Sequence, residues 1–146
     1  MNKVPQLVIG FDFGTKYIGV AIGQTATNNA RPLTCITVKN RRINWSLIDQ
    51  IIKDWEPRQL IVGIPVDMDG KEQHTTIECL KFFNALQKRY NLPMHKVDER
   101  LSTWEAKQSS CLLKSNYNSK ELLEINAAAA AILLQQWLNS INNTNL

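Results

Sequence analysis

A chain of 146 residues fits one domain and leaves little room for a second. At 44% hydrophobic and 21% charged it has the balance of a globular protein that buries a core without disulfide or metal staples. Lys and Arg number 17 against 13 Asp and Glu, and a formal charge of +4 admits an anionic partner such as nucleic acid without demanding one.

Gln6 to Phe13 and Tyr17 to Gly23 read as two strands. Only three residues separate them, which predicts an antiparallel hairpin with Gly14 at a turn position of unusual φ. Residues 24–32 read as a loop, and Leu33 to Lys39 as a third strand that completes a meander. After a basic loop (39–44), Trp45 to Trp55 carries apolar residues at 45, 47, 48, 51, 52 and 55, which is helical spacing, and Pro57 stops it. Leu60 to Ile64 is a continuous apolar run, as expected of a strand covered on both faces.

A loop with an Asp69-Gly70 turn precedes a second helix over 75–90, which Asn91 and Pro93 end. Pro93 to Val97 gives a short strand and Asp98-Glu99-Arg100 follows at once. Ser102-Thr103-Trp104-Glu105 fits a capping box, so a helix is predicted to start there and fade near Lys114. Ser119 is the expected cap of a last helix running to about Leu138, with a frayed Asn-rich tail over 139–146. The domain is therefore expected to span residues 1–138. The predicted order is β-β-β-α-β-α-β-α-α. The fold class is α/β, a mixed five-stranded sheet of three antiparallel and then parallel strands, flanked by helices.

Cys35, Cys79 and Cys111 are widely spaced and odd in number, which favours reduced thiols over a disulfide framework; with only His74 and His95 beside them, no zinc spacing appears. Lys3, Pro5, Gln6 and Asp12 interrupt any signal-like apolar stretch, and the longest apolar run, Ala127 to Leu134, is far short of a membrane span. A soluble cytoplasmic protein is the expectation.

Asp12 stands out, because strand interiors are depleted in Asp and a buried charge is costly. It lies near the carboxyl end of the first strand, and Asp98 and Glu99 lie just past that of the last. If those strands run parallel in one sheet, the carboxylates gather at the edge where α/β sheets bind ligands. Clustered carboxylates resist ionisation unless a cation neutralises them, and hard cations such as Mg²⁺ take oxygen ligands. Each residue also has a plainer reading: Asp12 as a turn residue capping Gly14 and Thr15, and Asp98-Glu99-Arg100 as a solvated loop with a local ion pair.

The stretches FDFGTKYIGVAIG (11–23), ARPL (30–33), LIVGIPVDMDGKEQ (60–73), VDERLSTWEA (97–106) and AAAAAILLQQWL (127–138) cover nearly the whole chain. In them it resembles the YqgF (RuvX) family of pre-16S rRNA nucleases and Holliday-junction-resolvase-like proteins with an RNase H-type fold. The resemblance implies a hydrolase of phosphodiester bonds that uses Mg²⁺ or Mn²⁺, with two metal ions held by carboxylates. Transferred to this sequence, Asp12 would be the central metal ligand and Glu99 the second, aided by Asp98. Thr15, Lys16, Arg100, Ser102 and Thr103 would hold phosphate, with a helix N-terminus near Ser102 as an anion site.

One position departs from the family pattern. An Asp is expected just before the small-residue run of the last helix, and this chain has Asn126 there. Asn offers an oxygen without charge, which weakens a second metal site. Glu124 lies about 200° round the helix and cannot substitute. A polar residue at a helix-packing seam is the competing reading of Asn126.

Other motifs carry less. Asp12-Phe13-Gly14 lacks the other kinase signatures, and Asp67-Met68-Asp69-Gly70 lacks the spaced Glu of a calcium loop. Lys39-Asn40-Arg41-Arg42 is either a nucleic-acid backbone contact or a solvated loop. Trp45, Trp55 and Trp137 read as packing, and Trp104 as packing or a base-stacking platform.

Three functions are expected in competition. The first is a nuclease on structured RNA, at the 5′ end of the 16S rRNA precursor, with resolution of branched DNA as a variant. The second is a catalytically impaired nucleic-acid- or ribosome-binding factor, motivated by Asn126. The third is a nucleotide-binding half of the actin type, for which one lobe is too few. No membrane partner is expected, and monomer and homodimer both remain open.

Overall fold

The computed structural model describes residues 5–64, 74–98 and 118–143. Five strands form one sheet in the order β3-β2-β1-β4-β5. They are β1 (Leu7–Asp12), β2 (Tyr17–Gln24), β3 (Asn29–Thr37), β4 (Gln59–Ile64) and β5 (Met94–Asp98). β1, β2 and β3 pair antiparallel, and β1, β4 and β5 pair parallel. The parallel pairs are those separated by a helix in sequence: α1 (Trp45–Trp55) precedes β4 and α2 (His74–Tyr90) precedes β5. The third described helix, α3, runs from Ser119 to Asn143.

Strand alternation sorts the core into two layers. Ile9, Phe11 and Phe13 of β1 and the turn after it, with Ile18, Val20, Leu60 and Val62, pack with Ile48 of α1 and Phe82 and Leu86 of α2. Val8, Ala21 and Ile61 face the other way and pack with Ala130, Leu133, Leu134, Trp137 and Leu138 of α3. β1 is thus central, covered on both faces and paired on both sides. Its residues from Val8 to Asp12 are all buried.

The start of the first hairpin needs a glycine for space rather than for backbone angle. A Cβ on Gly14 would lie 2.7 Å from the Tyr17 carbonyl oxygen, and its φ is not in the left-handed range. The expected unusual φ occurs elsewhere, at Asn40 (51°) and Arg41 (61°). There Lys39 and Arg42 exchange backbone hydrogen bonds of 3.2 and 2.8 Å. The basic stretch is therefore a tight hairpin turn of the primed type, which suits Asn-Gly. Arg41 occupies the position where glycine would be unstrained, at a cost of about 1–2 kcal/mol.

α1 ends on Glu56 in the left-handed conformation, its N–H donating to the Ile52 carbonyl at 2.9 Å, just before Pro57. Asn91 closes α2 in the same way, with φ 52° and a 2.9 Å bond to the Gln87 carbonyl. β3 begins four residues earlier than its apolar pattern suggests. Its first half is mostly exposed, so pairing with β2 rather than burial defines it.

Two expectations for the last helix are corrected. Asn118, not Ser119, is the cap: its Oδ1 accepts from the Glu121 N–H at 2.8 Å and its Nδ2 donates to Glu121 Oε1 at 3.2 Å. Residues 139–143 are not frayed either, because α3 continues to Asn143. Asn28 Nδ2 donates to Asn139 Oδ1 at 3.0 Å, and Asn142 Nδ2 donates to Asn28 Oδ1. Ile141 packs on the second core layer, so side chains beyond the apolar run hold the final turns. The helix predicted from Ser102 lies outside the described residues.

Candidate active site

Asp12 is the last residue of β1, at the carboxyl edge of the parallel strands. It is 4% exposed and is the only buried charged side chain among the described residues. Val8 and Gly10, two and one pleats earlier, face α3, Gly10 standing 3.1 Å (as an added Cβ) from Leu134. Asp12 shares their parity and therefore that face.

Both cross-strand neighbours of Asp12 are glycines: Gly19 on β2 and Gly63 on β4. Neither residue directly opposite Asp12 on the sheet carries a side chain. At Gly19 the space is taken by helix backbone, since a Cβ there would stand 2.0 Å from the Asn126 carbonyl oxygen. The strand glycine thus sets how closely α3 approaches, and with it how closely residue 126 approaches residue 12. The alanines that follow complete the close contact: Ala127, Ala129, Ala130 and Ala131 are all buried. Sequence reasoning misses these two glycines, yet a signal for them exists. A glycine inside an apolar strand is a known sign of close backbone approach, in Tyr17-Ile18-Gly19-Val20 as in Ile61-Val62-Gly63-Ile64.

Cys35 pairs with Gly19 from the other side. Its thiol is pushed up to about 11, first by burial and then by the negative charge of Asp12, against a smaller opposing hydrogen bond from the Ile18 backbone. It stays protonated near neutrality and is no nucleophile.

Asn126 is half-buried in the second turn of α3, and its Nδ2 donates to the Leu122 carbonyl at 2.8 Å. The amide nitrogen is committed to the helix, so the carbonyl oxygen is the atom it can offer outward. Glu124 is exposed and sits near Thr34, Cys35 and Lys120, away from this position, as the helical angle requires.

The other expected site residues divide three ways. In β5, Val97 packs on the α3 layer and His95 lies 5.1 Å from the Trp137 ring, whereas Met94 and Lys96 meet the α1–α2 layer, Lys96 over Phe83 at 4.9 Å. Alternation puts Asp98 with Met94 and Lys96, on the face opposite Asp12, so the expected pairing of Asp98 with Asp12 is not what the sheet brings together. Thr15 and Lys16 are exposed in the β1–β2 hairpin, at the same edge as Asp12, but they open onto the α1–α2 side. Glu99, Arg100, Ser102 and Thr103 lie outside the described residues.

Among the described residues no three His, Cys, Asp or Glu side chains converge as a metal cluster. The donors these two residues offer are the Asp12 carboxylate and the Asn126 side-chain amide oxygen, both hard oxygen atoms. That chemistry fits part of a ligand set for a hard divalent cation. No helix among the described residues is long and apolar enough to cross a membrane.

Residues 6–140 match the family model described as "RuvX: Holliday junction resolvase". A protein of Pseudomonas fluorescens named "Putative pre-16S rRNA nuclease" is 41% identical over 92% of this chain and 93% of its own length. One of the same name from Wigglesworthia glossinidia brevipalpis is 44% identical over the same shares. Among solved structures, Thermus thermophilus RuvC bound to a Holliday junction substrate superposes with a TM-score of 0.55 at 13% identity, over 95% of this chain and 97% of that one. The yeast mitochondrial Holliday junction resolvase Ydc2 gives 0.54 at 11% identity, over 90% and 77%. These structural likenesses establish the RNase H-like fold.

Proposed function

Since this chain belongs to the RuvX family, whose members among its relatives carry nuclease names, we propose that it hydrolyses phosphodiester bonds with a divalent metal, acting on the 5′ end of the 16S rRNA precursor. The observation that carries the reading is the buried Asp12 at the carboxyl end of the central strand, with glycine on both sides of it.

In this reading Asp12 and Glu99 hold Mg²⁺ or Mn²⁺, and Asn126 adds a neutral oxygen. Glu99 is preferred to Asp98 because alternation along β5 carries Asp98 to the face opposite Asp12. When bound, such ions lower the pKa of the attacking water and stabilise the leaving oxygen. Asp12 fixes the position of the cation, because β1 is paired on both sides and covered on both faces. Thr15 and Lys16 orient the substrate backbone at the hairpin, with Arg100, Ser102 and Thr103 expected to contribute from beyond β5. Action on rRNA implies a cytoplasmic site.

The test is cleavage of labelled 16S rRNA precursor and of a four-way DNA junction by wild type and by Asp12→Asn, with Mg²⁺ and with EDTA. Metal-dependent cleavage of the precursor that Asp12→Asn lowers by orders of magnitude, with RNA binding retained, is the expected result. Cleavage of the junction alone would move the substrate to branched DNA. Absence of metal-dependent cleavage of either would leave the second reading, a binding factor whose neutral Asn126 has cost it the chemistry.

A further inference from the structure

On the sheet face opposite Asp12, a cavity of about 550 Å³ opens between the β1–β2 hairpin, the 39–42 turn, the start of α1 and one side of α2. Its inner wall includes three aromatic residues, Phe13 and Phe82, both buried, and the half-buried Trp45, over whose ring the Arg89 guanidinium sits at 5.2 Å. Phe13 and Trp45 both lean on Phe82, with ring centroids 5.2 and 5.8 Å away. Its rim is cationic: Lys16 comes from the hairpin, Arg41 from the turn and Lys81 from α2. One acid, Glu78, lies among them and pairs with Lys81 at 3.5 Å, which leaves an excess of positive charge.

We propose that this cavity takes an unpaired nucleotide of a single-stranded nucleic-acid segment, its base against the aromatic wall and its phosphates on the Lys16–Arg41–Lys81 rim. The proposal rests on the nuclease reading for its choice of polymer. Three features favour this occupant. The volume lies in the range that holds a small ligand or a single extruded base. Aromatic wall plus cationic rim is the combination by which proteins hold single strands, stacking for the base and charge for the backbone. A duplex keeps its base faces stacked and cannot fill a concave apolar site. The cavity also adjoins the candidate chemistry through the chain itself: Asp12 faces α3 and the next residue, Phe13, faces the cavity. A strand crossing the carboxyl edge of the sheet meets both.

Arg41 gives the decisive variant. It sits at φ 61° in a turn that glycine would satisfy without strain, yet it supplies the guanidinium at the cavity mouth. Arg41→Gly is therefore expected to leave the thermal midpoint unchanged or raise it while weakening ligand binding.

The experiment is fluorescence anisotropy in EDTA, so that binding is read without cleavage. The probes are a short labelled single-stranded RNA, the same RNA with an abasic site at its centre, and its duplex. Wild type should prefer the intact strand to the abasic one by about tenfold, and to the duplex as well. Arg41→Gly should bind the intact strand about tenfold less tightly and lose most of the preference over the abasic probe. Lys81→Gln, on an exposed helical position, is the second variant should the turn rearrange when the Arg41 side chain is removed, and it should weaken binding in the same direction.

Equal affinity for intact and abasic strands, equal affinity for duplex, or full affinity in both variants overturns the proposal. If wild type cleaves with metal but shows no base preference, only the cavity assignment falls. If base-dependent binding appears without metal-dependent cleavage, only the hydrolase reading falls.

Discussion

At the scale of single residues, two positions carry the proposed site: Asp12, fixed by strand pairing, and Asn126, fixed by helix contact. Asp12 was legible in the sequence, because an acid in an apolar strand run calls for a reason. Its surroundings were not, since cross-strand pairing with Gly19 and Gly63 depends on register and on a parallel partner 51 residues away. The Nδ2 bond from Asn126 to the Leu122 carbonyl defines what an acid would change. Asn126→Asp loses that donor and sets a carboxylate against a carbonyl, costing about 1–3 kcal/mol. It also adds negative charge beside Asp12, where a cation is proposed to sit. The variant should therefore unfold at lower temperature without metal, be stabilised more by added Mg²⁺, and reach half-maximal cleavage at a lower metal concentration. Thermal melts with and without Mg²⁺, and a metal titration of cleavage, check this. A metal response equal to wild type would remove Asn126 from the site.

At the scale of elements, α1 and α2 are tied to each other by one charged cluster. Arg89 of α2 meets Asp49 of α1 through two bonds of 2.8 and 2.6 Å, and the Tyr90 hydroxyl donates to the same carboxylate at 2.6 Å. The bonds from Arg89 and then Tyr90 hold the Asp49 carboxyl down at about 2. Burial, together with the same carboxylate, pushes the Tyr90 phenol well above its usual range. The sign follows directly. A carboxyl depressed in the folded state contributes stability that is complete above its unfolded value, about 3.9, and is lost as pH falls towards 2. Thermal midpoints measured across that window should drop more steeply for wild type than for Asp49→Asn, and salt should shrink the difference because the cluster is exposed. Parallel slopes would show the cluster to be inert. Helix spacing made α1 and α2 legible to within a residue. The clamp between them was invisible, because its partners are about 40 residues apart and polar on faces that the apolar pattern leaves unspecified.

At the scale of the whole molecule, one sheet separates two cores, with α1 and α2 on one face and α3 on the other. Leu134 is fully buried where α3 crosses β1 and β2, against the positions of Gly10 and Gly23. Leu134→Ala should cost about 2–5 kcal/mol and lower the denaturant midpoint with an unchanged slope, because both layers share the strands and unfold together. A second, lower transition would mean that α3 detaches on its own. The architecture was legible because residues between strands reveal direction: three residues before Tyr17 force a hairpin, whereas a helix between Leu33 and Leu60 permits a parallel return. The face on which Asp98 falls, and the final turns of α3, were not, since each depends on contacts with remote segments rather than on local pattern. β1 is the middle strand of the five, paired on both sides and packed against both layers. Between Val8 and Phe13 successive side chains serve opposite layers, so the strand as a whole answers to both cores. The rim of the molecule, at β3, β5 and the Lys39–Arg42 turn, is free of that bind. A lineage of such proteins can diversify what it grips at the margins while its central strand stays nearly fixed.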